Sequence, residues 1–217
     1  MLFQIPEVLS TVELQQINSA LSQAEFVDGK TTAGWYAKQV KNNQQLKKDT
    51  AKSLESIVKA ALMRHPLFQV AIRPKQIHSL RFSRYDVGMS YGTHADNAMM
   101  GGYRSDVSFT LFLSDPHTYE GGELIIEGAD DEQSYKLFPG NAIVYPSSTL
   151  HRVNEVVSGQ RLVVVGWVQS LVRDPAQREL LFDIDTVRRS LFAQQGKTTE
   201  FDLLSKSVSN LLRRWAE

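Results

Sequence analysis

Two histidines and one aspartate of this 217-residue chain have the types and the spacing of ligands to a catalytic metal. His94 and Asp96 are two residues apart, so they would point to the same face of a strand, where side chains alternate with period two. His151, on a neighbouring strand, would complete a set of two neutral imidazoles and one carboxylate. That set suits non-haem Fe(II) and leaves positions on the metal open for a co-substrate and oxygen. We therefore predict an iron site at His94, Asp96 and His151.

An arginine, Arg161, follows His151 by ten residues. Its guanidinium is a rigid fork that can hold a carboxylate through two parallel hydrogen bonds, and we predict that it holds the carboxylate of a 2-oxo acid. A tight turn at Ser158-Gly159 would leave Arg161 ~17 Å along the strand from His151, too far for one small acid to reach both. The prediction therefore requires a wider loop, roughly over residues 154–159, that brings Arg161 nearly opposite Arg152.

The composition argues against several classes of partner and location. The 24 basic and 24 acidic residues cancel, which does not favour a nucleic acid or an anionic membrane. The longest apolar run, 162–168, is too short to span a bilayer, and the N-terminus lacks the basic and apolar regions of a signal peptide. Cysteine is absent, so thiolate ligands and disulfides are excluded. The composition is compatible with the reducing cytoplasm, where we expect the protein to be.

The pattern of apolar residues divides the chain into three regions. Residues 1–75 are mostly helical in pattern, with a capping box at Ser10 and Glu13 and a second helix at about 43–63 that Pro66 ends. Residues 76–171 contain short strands rich in branched and aromatic residues, predicted at 107–113, 123–127, 135–138, 142–145 and 162–168. Because no helices separate them, we predict an α+β fold around an antiparallel jelly roll.

Residues 172–217 return to a helical pattern. Asp174-Pro175 begins one helix and Thr199 with Asp202 begins another. The second helix carries an apolar stripe of Phe201, Leu204, Val208, Leu211 and Trp215. We predict that this stripe packs on the chain's own sheet, and the alternative is a contact between subunits of a homo-oligomer.

Longer motifs surround the candidate residues. A strand and a glycine turn over 81–93 lead into His94-Ala95-Asp96, and the downstream motifs are Tyr119-Glu120-Gly121-Gly122-Glu123-Leu124, Pro139-Gly140-Asn141-Ala142, and His151 with Arg161. With these motifs, residues 76–171 resemble the Fe(II)/2-oxoglutarate dioxygenase domain of the prolyl 4-hydroxylase type. The whole chain resembles the bacterial PKHD-type hydroxylases. The resemblance implies a double-stranded β-helix core between an N-terminal helical region and a C-terminal helical extension.

The resemblance also implies an activity and the residues that carry it. It implies hydroxylation of a C–H bond with release of succinate and CO2, with Fe(2+), 2-oxoglutarate and L-ascorbate as cofactors. It implies that His94, Asp96 and His151 are the iron ligands and that Arg161 binds the distal carboxylate of 2-oxoglutarate. Tyr85 falls where related prolyl hydroxylases place a tyrosine near the co-substrate.

The chain departs from the animal hydroxylases at one position. Where they carry a tyrosine that reaches the distal carboxylate of 2-oxoglutarate, this chain has Phe112. Thr110, Ser108 or a water could replace that hydroxyl, or Arg161 could hold the carboxylate alone.

The substrate and two rival functions stay open. A prolyl or lysyl side chain and a small molecule are both compatible, and the mouth of the cavity, built from the 28–42 loop as a lid and a flexible lip at 97–105, would choose between them. One rival is a zinc hydrolase with the same ligands, which would need a general base that we do not find. The other is a non-catalytic, cupin-like binding module.

We interpret His65, His78 and His117 as structural residues, and Trp167 as part of the core.

Overall fold

The computed structural model describes the backbone of residues 1–217 and the side chains of all residues except Asp49. Its helices are α1 (Thr11–Ser22), α2 (Lys48–Arg64), α3 (Pro66–Ile72), α4 (Pro175–Gln195) and α5 (Thr199–Trp215). Short 3₁₀ turns lie at Gly29–Thr32, Ala37–Gln39 and Pro116–Thr118. None of the described helices has both the length and the apolar composition that a membrane span requires.

The strands occupy most of the chain between α1 and α4. In order they are β1 (Phe3–Ile5), β2 (Phe26–Asp28), β3 (Lys41–Asn42), β4 (Gln44–Leu46), β5 (Pro74–Tyr85), β6 (Ser90–His94), β7 (Met99–Met100), β8 (Tyr103–Arg104), β9 (Val107–Phe112), β10 (Glu120–Gly121), β11 (Leu124–Glu127), β12 (Glu132–Tyr135), β13 (Ala142–Pro146), β14 (His151–Val153), β15 (Val156–Ser158) and β16 (Arg161–Ser170).

Two antiparallel sheets form the core of the molecule. The major sheet has the strand order β1-β13-β9-β16-β5-β4-β2, and the minor sheet has the order β12-β11-β14-β6-β3. The predicted α+β fold with a jelly-roll core is confirmed. The region 1–75, predicted to be mostly helical, also supplies edge strands to both sheets. Division into domains at 1–75, 76–171 and 172–217 stays a prediction.

The first helix begins as predicted, but two other boundaries were wrong. Ser10 and Glu13 form the reciprocal capping box at the start of α1. The helix predicted from about residue 43 begins at Lys48, because residues 44–46 pair with β2 and β5 instead. Pro66 occupies the first turn of α3, where a missing N–H costs little. The strand predicted at 135–138 lies at 132–135, where polar residues form an edge strand beside β11 that apolar patterning does not detect.

The major sheet is buried on both faces, and its alternation separates two environments. Leu80 and Phe82 of β5 join the apolar cluster formed with α1–α3, whereas Tyr85 belongs to the cluster between the two sheets. In β16, Val164 faces the helices and Val163 faces the minor sheet. Residues spaced by two along these strands therefore look into the space between the sheets.

The C-terminal helices pack mainly on each other. Val172, Leu181 and Val208 form a separate apolar cluster, which Ile184, Leu211, Leu212 and Trp215 extend. The prediction that the stripe of α5 packs on the sheet was therefore wrong, because α4 lies beside it and covers it. Val172 and Ala216 form a β-bridge, so the end of α5 is held next to the end of β16.

An ion pair joins α2 to the first turn of α1. The Arg64 guanidinium donates two hydrogen bonds of 2.5 Å to the Glu13 carboxylate. These bonds lower the pKa of Glu13 from 4.5 to about 2. Because the folded-state pKa lies below the unfolded one, the pair stabilises the protein fully above pH 4.5, and the stabilisation is lost as the pH falls through about 2.

We expect Glu13→Gln to lower the free energy of unfolding by about 1 kcal/mol at pH 7, since the pair is partly exposed. The difference in the free energy of unfolding between variant and wild type should become smaller as the pH falls from 7 to 3. Urea unfolding at both pH values measures this difference. The control is Glu55→Gln, which removes a carboxylate 3.8 Å from Lys59 on the surface of α2. It should lower the free energy of unfolding by less than Glu13→Gln does. Equal stability of Glu13→Gln and wild type at pH 7 would contradict the assignment.

Candidate metal centre

The antiparallel pairing of β6 and β14 brings together the three residues predicted from their spacing. His94 and His151 are directly opposite each other in this pair, and their ring centroids are 4.3 Å apart. Asp96 lies just beyond the end of β6, where its N–H donates to the carbonyl of Ser147 at 3.2 Å. One potential ligand atom from each of the three lies within 4.8 Å of the others. The side chains of His94, Asp96 and His151 therefore converge as a metal site requires.

Both histidines present the same nitrogen to this centre. The Nδ1 atoms of His94 and His151 lie 2.9 Å and 3.0 Å from the carbonyl oxygens of Gly92 and Thr149. Because a carbonyl can only accept, each Nδ1 carries the proton and each Nε2 keeps a free lone pair. Burial, with the neighbouring His151, lowers the pKa of His94 to about 4. Its ring is therefore neutral at physiological pH and available to a metal.

A serine pair fixes the carboxylate of Asp96. Ser108 Oγ donates to Asp96 Oδ2 at 2.6 Å and lies 2.8 Å from Ser147 Oγ, which must then donate to Ser108. Hydrogen bonds of this kind hold a ligand in the orientation that the metal needs. Ser108 is thus committed to Asp96, which removes it as a replacement for the hydroxyl missing at Phe112. Sequence reasoning missed Ser147, for which the sequence offers no distinguishing signal.

Two aromatic rings pack on the histidines. The ring of Tyr91 stacks on His94 with centroids 3.8 Å apart, and the ring of Tyr145 meets the edge of His151 at 5.0 Å. Burial raises the pKa of Tyr91 and Tyr145, so both phenols stay protonated. Neither tyrosine was predicted, although Tyr145 lies in a predicted strand. They form an apolar collar that limits how the imidazoles can rotate.

Arg161 lies on the opposite sheet, so the expected loop geometry was wrong. We expected the chain to return beside β14 and place Arg161 nearly opposite Arg152. Instead β14 belongs to the minor sheet and β16 to the major sheet, and β15, paired with β10, carries the chain between them. Arg161 is the Cα partner of Tyr85 in β5 and lines the same cavity as His151. The two face each other across the interior rather than along one sheet.

The guanidinium of Arg161 is buried without an acceptor. The residue is 1% exposed, and its three nitrogens have no hydrogen-bond partner among the described residues. Its Cζ lies 5.0 Å from the ring centroid of Tyr85 and 5.7 Å from that of Phe112. A buried charge is stable only when it is paired, so this arrangement fits a carboxylate ligand. Phe112 faces Arg161, but its ring offers no hydroxyl to such a ligand.

A second unpaired donor, Tyr119, lies beside the guanidinium. Its hydroxyl is buried and has no partner among the described residues. Burial raises the pKa of Tyr119, and the charge and the side-chain contact of Arg161 act in the opposite direction, but the two groups do not reach hydrogen-bond geometry. A Cβ on Gly122 would lie 3.0 Å from Cδ of Arg161 and 3.2 Å from Cε2 of Tyr119. Sequence reasoning missed Tyr119, although it begins the Tyr-x-Gly-Gly motif, because we read the glycines only as a turn.

The other two residues considered for the co-substrate lie in the same interior. Tyr85 is buried against Arg161; burial raises the pKa of Tyr85, and the charge of Arg161 opposes that rise. Thr110 lines the cavity near Tyr145, the tyrosine that packs on His151. Because Tyr119 lies beside Arg161 instead, Tyr119 is the better replacement for the hydroxyl missing at Phe112.

The cavity between the sheets has a volume of about 910 Å³, including its open mouth. Its walls contain the three candidate metal ligands, Arg161, and part of the 28–42 loop. The hydroxyl of Tyr36 in this loop donates to the carbonyl of Ala95 at 3.1 Å, so the loop lies over the metal centre. Movement of the loop as a lid stays a prediction.

Two features of the cavity lie near its mouth and its wall. The lip at 97–105 forms the hairpin β7–β8, and a hydrogen-bond contact of 3.0 Å joins its Arg104 carbonyl to Nε2 of His78, which accords with a structural His78. Trp167 was predicted to be core, but it lines the cavity, and its buried Nε1 has no partner among the described residues. Trp167 keeps the side of β16 that alternation gives it, together with Val163 and Val165, and that side faces the cavity.

We expect Ser108→Ala to weaken Fe(II) binding by about tenfold, because Asp96 loses the hydrogen bond that orients it. Competition with a coloured chelator under argon measures the affinity. Ser148→Ala, at an exposed neighbour of the serine pair, is the matched control and should bind iron like the wild type. Unchanged affinity in Ser108→Ala would show that the serine does not support a ligand.

Comparison with known proteins identifies the family to which the chain belongs. Residues 80–169 match the 2OG-Fe(II) oxygenase superfamily and residues 175–217 match the PKHD-type hydroxylase C-terminal domain. A PKHD-type hydroxylase of Picosynechococcus sp. (strain PCC 7002) is 66% identical over 219 residues, covering 100% of both chains.

Solved structures share the fold at low sequence identity. A 2OG-Fe(II) oxygenase family oxidoreductase from Burkholderia pseudomallei has a TM-score of 0.56 at 17% identity, covering 76% of this chain and 82% of that one. A prolyl-4-hydroxylase from Pseudomonas putida has a TM-score of 0.54 at 18% identity, covering 78% and 92%. The full-length match to the curated relative carries the assignment, and this chain belongs to the PKHD-type hydroxylases of the 2OG-Fe(II) oxygenase superfamily.

Proposed function

We propose that the protein hydroxylates a C–H bond of its substrate with Fe(2+) held by His94, Asp96 and His151 and with 2-oxoglutarate held by Arg161. The family makes it an oxidoreductase that uses Fe(2+), 2-oxoglutarate and O2. The observation that carries the residue assignment is the buried, unpaired guanidinium of Arg161 in the same cavity as the two histidines and the aspartate.

The donor set fits the metal. Two imidazole Nε2 atoms and one carboxylate are the ligands that non-haem Fe(II) takes on one face, and all three lie on or next to the minor sheet. Bound iron and 2-oxoglutarate together supply the oxidising power, so that one atom of O2 enters the substrate and the other enters succinate as CO2 leaves. The backbone carbonyls and the serine pair keep each ligand aimed at one point before the metal arrives.

The opposite wall fits the far carboxylate of 2-oxoglutarate. Arg161 supplies the charge and Tyr119 supplies a hydroxyl that no described residue accepts. Tyr85 packs on the guanidinium at 5.0 Å, and we assign it the role of fixing Arg161 beside the co-substrate. The co-substrate would therefore reach from the minor sheet to the major sheet. Water would be largely excluded from the Arg161 end, where charge-assisted hydrogen bonds are strongest.

The rival functions find less support in the cavity. A zinc hydrolase needs a general base, and Asp96 is the only carboxylate among the described residues that line the walls. A binding module without catalysis would not need an oriented open metal face, but it remains an outcome of the experiment below.

The proposal has four further elements. L-ascorbate would reduce iron again after turnover without substrate. A homo-oligomer could form through the C-terminal helices, where Leu180, Val187, Phe192 and Leu203 are exposed. We place the protein in the cytoplasm, since a chain without cysteine needs no oxidising compartment. The substrate would be a prolyl or lysyl side chain or a small molecule.

Anaerobic addition of Fe(II) and 2-oxoglutarate to the metal-free protein tests the site directly. We expect the weak visible charge-transfer band of a chelated 2-oxo acid in the wild type and no band in His94→Ala. In Arg161→Met, the 2-oxoglutarate concentration for half-saturation of the band should rise by at least about tenfold, because a charge-assisted hydrogen bond is lost. Arg152→Met, which removes an arginine from the outer surface near the site, is the matched control and should titrate like the wild type.

Two results would contradict the proposal. A wild-type protein that shows no band but binds Zn²⁺ tightly would favour the hydrolase or the binding module. A normal titration of Arg161→Met would remove this arginine from the co-substrate site while leaving the iron site in place.

Tyr119→Phe tests the second donor. Loss of one neutral hydrogen bond should raise the 2-oxoglutarate concentration for half-saturation by about three- to tenfold. The iron affinity should not change, because Tyr119 lies with Arg161 and not with the histidines. Tyr135→Phe, at a buried tyrosine bonded to Gln133, is the control. A co-substrate titration that is identical in Tyr119→Phe and wild type would show that this hydroxyl is not used.

A further inference from the structure

A second pair of cations lies in the cavity, and the chemistry assigned above does not use it. Lys41 is 6% exposed, lines the cavity, and donates a hydrogen bond to Thr32 Oγ1 at 3.3 Å. Its Nζ lies 5.2 Å from the ring centroid of Tyr91, the tyrosine that stacks on His94. Lys41 therefore reaches the edge of the metal centre.

Arg81 is the second member of this pair. It lies on the inward face of β5, two residues from Ser83 and four from Tyr85, and it lines the same cavity. Its Nη1 donates to the carbonyl of Leu80 at 2.8 Å. Burial, and then the charge of Arg81, lower the pKa of Lys41 to about 8, and the carboxylates of Asp96 and Asp28 oppose this shift. The two cations thus share one cavity wall and act on each other.

Neither cation has a carboxylate of the described residues within ion-pair distance, although Asp96 and Asp28 act on Lys41 from further away. Among the described side chains, no carboxylate forms an ion pair with Lys41 or Arg81. The buried Nε1 of Trp167, in the same wall, is another donor without an acceptor. Two like charges and an unpaired donor are costly in a partly buried cavity unless an anion enters.

This pair is separate from the place proposed for the far carboxylate of 2-oxoglutarate. Arg161 is the Cα partner of Tyr85, whereas Arg81 is the Cα partner of Val165. The two arginines are thus four residues apart along the strands, about 13 Å. The cavity has a positive group at each end, and the co-substrate would occupy only the Arg161 end.

We propose that Lys41 and Arg81 bind an oxyanion of the substrate, so that the substrate is a small molecule with a carboxylate or a phosphate near the C–H bond that is oxidised. This inference rests on the proposed function. The hydrogen bond from Tyr36 to the carbonyl of Ala95 covers the cavity above the metal centre and favours a small molecule over a polypeptide. The oxyanion would sit between the two cations, with the remainder of the substrate directed towards the histidines.

The test uses the protein loaded with Fe(II) and saturating 2-oxoglutarate under argon, with inorganic phosphate and acetate as separate probes. Saturation with 2-oxoglutarate keeps both probes out of the Arg161 end. We expect at least one probe to shift the charge-transfer band and raise the thermal midpoint, and the tighter probe identifies the preferred oxyanion. Lys41→Gln and Arg81→Gln should each weaken this binding about tenfold, while the 2-oxoglutarate titration changes less than twofold.

Matched controls separate the cavity from the surface. Lys38→Gln changes an exposed lysine of the same loop, and Arg84→Gln changes the arginine on the opposite face of β5, which packs on Phe26. Both should bind the probes like the wild type. Each of the variants Lys41→Gln and Arg81→Gln loses a charge that has no ion-pair partner in the cavity. Their thermal midpoints without a probe should therefore be at or above that of the wild type, which excludes misfolding as the cause of weaker binding.

Three results would overturn the inference. The first is that neither probe binds the wild type, and the second is that both variants bind the probes as the wild type does. A tenfold rise in the 2-oxoglutarate requirement of Lys41→Gln would assign the cations to the co-substrate. If the wild type shows no charge-transfer band before any probe is added, the proposed function itself fails, so the two failures are distinguishable.

Discussion

The pairing of β6 with β14 is the constraint on which the site depends. It places His94 directly opposite His151 and ends at the position from which Asp96 turns inward. A shift of one residue in this register would turn one histidine to the other face of the minor sheet and separate the two Nε2 atoms. The neighbours of the pair preserve the register, because β11 and β3 pair on either side and leave neither strand at an edge.

The second constraint is electrostatic. The major sheet is buried on both faces, yet its inner face carries Arg81 and Arg161, and β3 adds Lys41 from the minor sheet. Cationic groups without a paired carboxylate in an interior are unfavourable for folding by themselves and favourable for binding anions. Bound anions would therefore stabilise the folded state, because they bind the native cavity and not the unfolded chain. Ligand binding and stability are coupled through the same unpaired groups.

Local sequence patterns predicted the parts of the site that depend on local geometry. The spacing of His94 and Asp96 and the turn-separated strands follow from period-two alternation and from turn chemistry, so the convergence of the ligands and the jelly roll could be anticipated. The support of Asp96 comes from Ser108 and Ser147, which are 39 residues apart in the chain, and a serine has no sequence signal that distinguishes this role. The path of the chain from β14 to β16 was wrong for a similar reason, because apolar patterning identifies strands but not the sheet that each one joins.

The two sheets divide the chemistry. The minor sheet and the residue beyond β6 hold the candidate iron ligands, whose geometry tolerates little change, because small displacements of a ligand alter metal affinity. The major sheet carries Arg161 at one end of the inner face and Arg81 further along the same face. Substitutions at the Arg81 position can therefore alter which substrate is bound without moving an iron ligand, since no ligand lies on that sheet. A fold arranged in this way can keep one oxidative reaction while its substrate changes, and for that reason the substrate has to be found from the residues around Lys41 and Arg81 rather than from the metal centre.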